Sequence, residues 1–196
     1  MIFTAYADGV LDVAGRRACC ALGRSGVIAA ADKREGDGAS PAGTWPLRLV
    51  LFRPDRGGAP ATGLPTRALT PRDGWCEAPA DENYNRLVTL SESDGADRLW
   101  REDCLYDLVV VIGHNDAPVK PGAGSAIFLH LARPDFSPTQ GCVALARQAR
   151  RRSKGAKDHA RAARQAGDHP LGMRRAAGIG EEQQGRRGLS RAGASP

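Results

Sequence analysis

Several things are scarce or missing in this 196-residue chain. No stretch approaches the roughly 18 apolar residues of a membrane-spanning helix, so no membrane span is expected. The opening "MIFTAYADGVLDVAGRRACC" lacks a basic start followed by an apolar run and a small-residue cleavage site, so no signal peptide is visible. None of the five cysteines stands in a C-x-x-C pair, and no His/Cys spacing suits zinc. The chain is therefore expected to need no metal. No internal repeat is present, which excludes solenoids and propellers. The odd cysteine count leaves at least one thiol outside any intrachain disulfide. Cys19, Cys20, Cys76 and Cys104 are read as small buried residues.

The net charge of +6 suggests a nucleic-acid partner until its distribution is considered. Residues 147–196 hold 13 of the 28 basic residues and 4 of the 22 acidic ones, which leaves the first 146 with 15 and 18. The basic character belongs to the tail. That tail contains only four large apolar residues, Leu171, Met173, Ile179 and Leu189. So little apolar surface cannot offset the entropy of ordering a chain, and a disordered or loosely helical segment is expected. Its Arg, Ala, Gly and Gln runs are what a GC-rich gene yields when read out of frame. Residues after about Arg147 are accordingly a candidate frameshift product.

The first 146 residues read as one mainly β domain. "FTAYADGVLDV" is two short runs around Asp8-Gly9, a hairpin signal, and "ACCALGRSGVIAA" repeats the pattern around Gly23 to Gly26. "TWPLRLVLF" and "RLVTL" are further strand candidates. "DLVVVIG", "SAIFLHL" and "CVAL" are short, apolar and rich in β-branched residues, as strands buried on both faces are. "SESDGADRLWRED" has room for one or two helical turns.

Chemistry concentrates in "HLARPDFSPTQGCVAL", His130 to Leu145. His130 shares a strand face with Phe128, opposite Ile127 and Leu129. A turn-rich loop then allows the chain to return and set Cys142 beside it. Cysteine attacks as thiolate, and a neighbouring imidazole lowers its pKa by taking the proton. Gly141 leaves room for a carbonyl substrate, and the N–H groups around Gly141 and Cys142 are placed to hold an oxyanion. "GHND" follows an apolar strand, so His114 and Asn115 are also candidates for lining the cleft, although a loop histidine bonded to a neighbour is the commoner outcome. Trp45, Trp75 and Tyr84 are groove candidates that more often turn out to be core. His159 and His169 lie in the tail and receive no role.

These stretches also resemble a known family. "GSAIFLHLARPDFSPTQGCVAL" is similar to the catalytic stretch of the YkuD-type L,D-transpeptidases. "EGDGASPAGTWPL" is similar to their upstream Thr/Ser-Pro-x-Gly-Thr segment, and "YDLVVVIGHND" to the strand before the histidine segment. The resemblance covers roughly residues 33–146. It departs from the commonest form in a shorter gap between histidine and cysteine. Thr139 fills the Ser/Thr position, Gln140 replaces a second histidine, and Val143 and Ala144 follow the cysteine where Arg or Asn is usual.

The resemblance implies a YkuD-like β-sandwich with few short helices over residues 1–146. It implies acyl transfer on peptidoglycan stem peptides with no cofactor, through a thioester on Cys142 with His130 as base. Gly141, Thr139, Gln140, His114 and Asn115 are the expected oxyanion and substrate contacts. Such enzymes release the terminal D-alanine of a tetrapeptide stem, and their work lies in the periplasm or cell envelope. One alternative is a carboxypeptidase-type hydrolase that uses the same pair with water. Another is a non-enzymatic nucleic-acid-associated protein acting through the tail, which has no aromatic residue on which to stack bases.

Overall fold

The computed structural model describes residues 2–91 and 96–147 in full and the backbone of 171–175. The first five strands are β1 (Ile2–Tyr6), β2 (Val10–Val13), β3 (Arg16–Ala21), β4 (Val27–Ala29) and β5 (Ser40–Phe52). The short strands β6 (Thr66–Ala68), β7 (Asp73–Trp75), β8 (Leu87–Thr89) and β9 (Asp97–Arg98) follow. The last four are β10 (Leu108–Ile112), β11 (Phe128–Leu131), β12 (Val143–Leu145) and β13 (Leu171–Arg175). The domain is mainly β, with no helix among the described residues.

The large sheet runs β10-β11-β12-β3-β2-β1-β13-β5, and β10 also pairs with β5, so the path closes on itself. A small sheet, β8-β7-β9, stands apart. The strand period of two sends alternate residues to two apolar clusters. Leu11, Cys20, Ile112, Ile127 and Val143 fill one, and Val109, Val111, Phe128 and Cys142 join Trp75 and Leu99 in the other. In β5 the alternation breaks. The pairing with β10 skips Arg48, so Leu47 enters the first cluster while Leu49 and Leu51 enter or pack on the second. A bulge of this kind lets one long strand serve both layers.

The first hairpin is as expected. Gly9 takes a left-handed φ of 79°, and Asp8 Oδ1 accepts from the Val10 N–H. The second apparent hairpin is not one. β3 pairs with β2 and β12, whereas β4 runs parallel to the start of β5. Gly23 is the reason, because a Cβ there would lie 2.4 Å from the Gly38 carbonyl oxygen. The close crossing of two backbones, rather than a two-residue turn, fixes the chain path at this point.

The helical turns expected in 91–103 are absent from its described residues. Asp97–Arg98 pairs with β7, Leu99 is fully buried, and Trp100 lies under the Arg53 guanidinium at 3.7 Å. Residues 92–95 lie outside the described residues. Of the four cysteines expected to be buried, Cys20 and Cys76 are, but Cys19 and Cys104 are exposed. Cys104 sits in a turn at φ 65°, against Arg56.

Strand β13 falls inside the basic tail, where the sequence reading assigned no strand. Its backbone inserts between β1 (Ala5↔Leu171) and β5 (Met173↔Trp45). The remainder of the tail after Arg147 lies outside the described residues, and so do His159 and His169.

Candidate active site

β11 and β12 are parallel neighbours, with Leu129 level with Val143 and His130 level with Ala144. Residues level in a ladder point to the same side, so Cys142 and Ala144 share a face with Phe128 and His130. The loop between the strands is stapled to the region before β4. The Thr139 N–H donates to Leu22 O, and the Arg24 N–H donates to Thr139 O, each at 2.8 Å. Cys142 and His130 both line one cleft of about 440 Å³, of ordinary size for a small-molecule site. The pair expected from the sequence is therefore brought to one wall.

Among the described residues no hydrogen bond joins Cys142 to His130. The thiol donates to Ala126 O at 3.1 Å and lies 3.4 Å from the Phe128 N–H. Burial pushes its pKa up to about 12, so the resting group is a neutral thiol rather than the expected thiolate. Burial also holds His130 below the ordinary histidine range. Its Nδ1 is 2.8 Å from the Leu131 carbonyl, which can only accept. Nδ1 therefore carries the hydrogen, and Nε2 keeps a free lone pair. The Tyr106 ring and the imidazole meet nearly at right angles with centroids 5.3 Å apart, and Tyr106 OH donates to Asp97.

Gly141 packs closely on the backbone that leads into β5. At φ 136° a side chain is disfavoured, and a Cβ built there would lie 2.8 Å from the Ala39 carbonyl oxygen, so its absence makes room for that backbone. Thr139 and Gln140 line the cleft, but the Thr139 hydroxyl is engaged internally. It donates to Cys142 O at 2.7 Å and accepts from the Gly141 N–H at 3.1 Å.

His114 and Asn115 do not line the cleft. His114 is buried against Trp45, its Nε2 lies 3.0 Å from Ala123 O, and its Nδ1 has no partner. Asn115 clamps its own loop through Lys120 and Gly124. Their carbonyls accept from the Asn85 side chain, whose oxygen accepts from Trp75 Nε1 and the Ala126 N–H. Trp75 and Tyr84 are core residues, and Trp45 is half-buried.

Sequence reading missed the charged lining, namely Glu35, Glu77 and Asp97 with Lys33, Arg101 and Arg133. These residues come from four separate segments and carry no common spacing, so only the folded chain assembles them. Burial, reinforced by the Asp97 and Glu35 charges, raises Glu77 to about 7. Burial also raises Asp97, although the Tyr106 hydroxyl and Arg101 oppose the shift.

An all-β domain whose closed sheet sets a cysteine and a histidine on one wall of a cleft is the class of protein defined here. Residues 2–152 match the model of the L,D-transpeptidase catalytic domain family, YkuD, and the chain belongs to that family. It is a family that acts on peptidoglycan. No curated protein and no solved structure matches the chain.

Proposed function

We propose that the protein is a cysteine-dependent acyltransferase of peptidoglycan stem peptides, with Cys142 as nucleophile and His130 as base. The observation that carries the reading is the common face. Two parallel strands put a thiol and an imidazole with a free Nε2 on the wall of one cleft, within a domain of this family. Both groups rest neutral, so the thiol proton moves only as the substrate is attacked.

In the first step Sγ bonds to the carbonyl carbon of the stem's third residue, and the thiol proton passes to His130 Nε2. The carbonyl oxygen becomes an oxyanion held by the Cys142 N–H. Collapse breaks the bond to the terminal D-alanine, whose amine takes the proton from His130. In the second step an amine from another stem attacks the thioester, His130 takes its proton, and the thiol is regenerated.

Incubation with a tetrapeptide-stem muropeptide tests this. Mass spectrometry should find an adduct on Cys142, released D-alanine and a dimer joined through third residues. Tripeptide without dimer would reassign the acceptor as water and the enzyme as a hydrolase. Cys142→Ser should remove the adduct, and His130→Ala should slow acylation by about 10²–10⁴-fold. Wild-type D-alanine release by Cys142→Ser would overturn the assignment.

A further inference from the structure

We propose that Ser40 is a positioning residue for acyl transfer, its buried hydroxyl fixing the peptide that presents the Cys142 N–H to the oxyanion. The inference rests on the reading of Cys142 as nucleophile.

Ser40 opens β5 and is fully buried. Its Oγ donates to Gly141 O at 2.8 Å and accepts from the Gly23 N–H at 2.9 Å. One hydroxyl thus uses a donor and an acceptor at once, tying a loop 101 residues away to the turn before β4. The consequence lies on the other side of the same peptide. A trans peptide is planar, so the N–H of Cys142 points opposite to the C=O of Gly141. Anchoring that carbonyl in the interior aims the N–H away from the anchor.

Two neighbouring contacts make Ser40 the controlling one. The Gly141 N–H is already taken by Thr139 Oγ1, so it is not a free donor at rest. The turn and loop hydrogen bonds among the described residues give the Cys142 N–H no backbone partner. Ala39, next to Ser40, fills the space that a Cβ on Gly141 would need. Residues 39–40 therefore set both the place and the tilt of the peptide before the nucleophile. Alanine would leave the Gly141 carbonyl and the Gly23 N–H unpaired. Threonine carries the same hydroxyl, able to donate and accept as serine does.

The test compares two reactions of Cys142 that differ in needing an oxyanion. Acylation by a tetrapeptide-stem muropeptide passes through one. Alkylation by iodoacetamide, a displacement at saturated carbon, does not. In Ser40→Ala the acylation kcat should fall about 10–100-fold with KM little changed, a fraction of what losing an oxyanion donor outright costs. Alkylation of the Cys142 peptide, followed by mass spectrometry, should stay within about threefold of wild type, and Ser40→Thr should restore acylation.

Ser40→Val matches threonine in shape without its hydroxyl and should behave as alanine does. Equal slowing of both reactions, or of neither, would overturn the proposal. So would failure of both the alanine and valine chains to fold, since Ser40 would then be a folding residue only. Wild-type protein that is alkylated but never acylated would instead sink the functional reading.

Discussion

At Cys142 and His130 the resting chemistry is set by burial, and it fixes a pH dependence. In the proposed mechanism His130 must be neutral to accept the thiol proton, and burial keeps its pKa below the ordinary value of 6.5. Acylation should therefore rise with pH through a midpoint below 6.5 and then stay level through neutrality. A pH series of single-turnover acylation reads this directly, and a rate that keeps climbing well above neutrality would point to titration of the buried thiol instead. Glu77 runs in the opposite sense. Its pKa rises from 4.5 to about 7, so its contribution to stability is full below 4.5 and lost as pH climbs through 7. Glu77→Gln should raise the melting temperature at pH 8 and gain much less at pH 5. An equal gain at both would show that the carboxylate is not penalised in the fold. That Cys142 and His130 meet on one cleft wall was readable because both residues sit in one short stretch with turn formers between them. The raised Glu77 was not, because it depends on burial and then on the Asp97 and Glu35 charges, which only the folded chain brings together.

Among the elements, the strands rich in β-branched residues were legible, since β10, β11 and β12 fall where apolar runs stop at glycine or polar turns. Pairing was less so. The Gly23 to Gly26 region reads as a hairpin by local chemistry, yet a backbone crossing at Gly23 overrides it. Asn85 shows how an unassuming loop residue can join elements. At φ 58° it takes a conformation asparagine tolerates better than most residues, and its amide bonds four groups from three segments. One of those groups is the N–H of Ala126, whose carbonyl receives the Cys142 thiol. Asn85→Ala should lower stability by about 3 kcal/mol in urea unfolding, because buried donors and acceptors lose their partners. It should also slow acylation by loosening the wall behind the sulfur. A change below about 0.5 kcal/mol would mean that water replaces the amide without loss.

For the whole molecule, closure of the large sheet is the governing feature. β13 was not legible, because "LGMRR" offers two apolar residues split by a glycine and followed by two arginines, and its partners are strands from the far N-terminal half. A chain ending at Pro170 should melt at lower temperature and aggregate with rising concentration, as β1 and β5 would each lose a neighbour. An unchanged melting curve and a monomeric elution profile would remove β13 from the working fold. The order of the strands along the chain also bears on synthesis. A ribosome delivers residues from the N-terminus, so β1 and β5 emerge long before the strand that sits between them. Any sheet formed in that interval would lack the strand that joins β1 to β5 and would present both as edges. A slow stretch of translation ahead of Leu171 would prolong that exposure, and a holdase chaperone acting on these edges would be needed most at that stage.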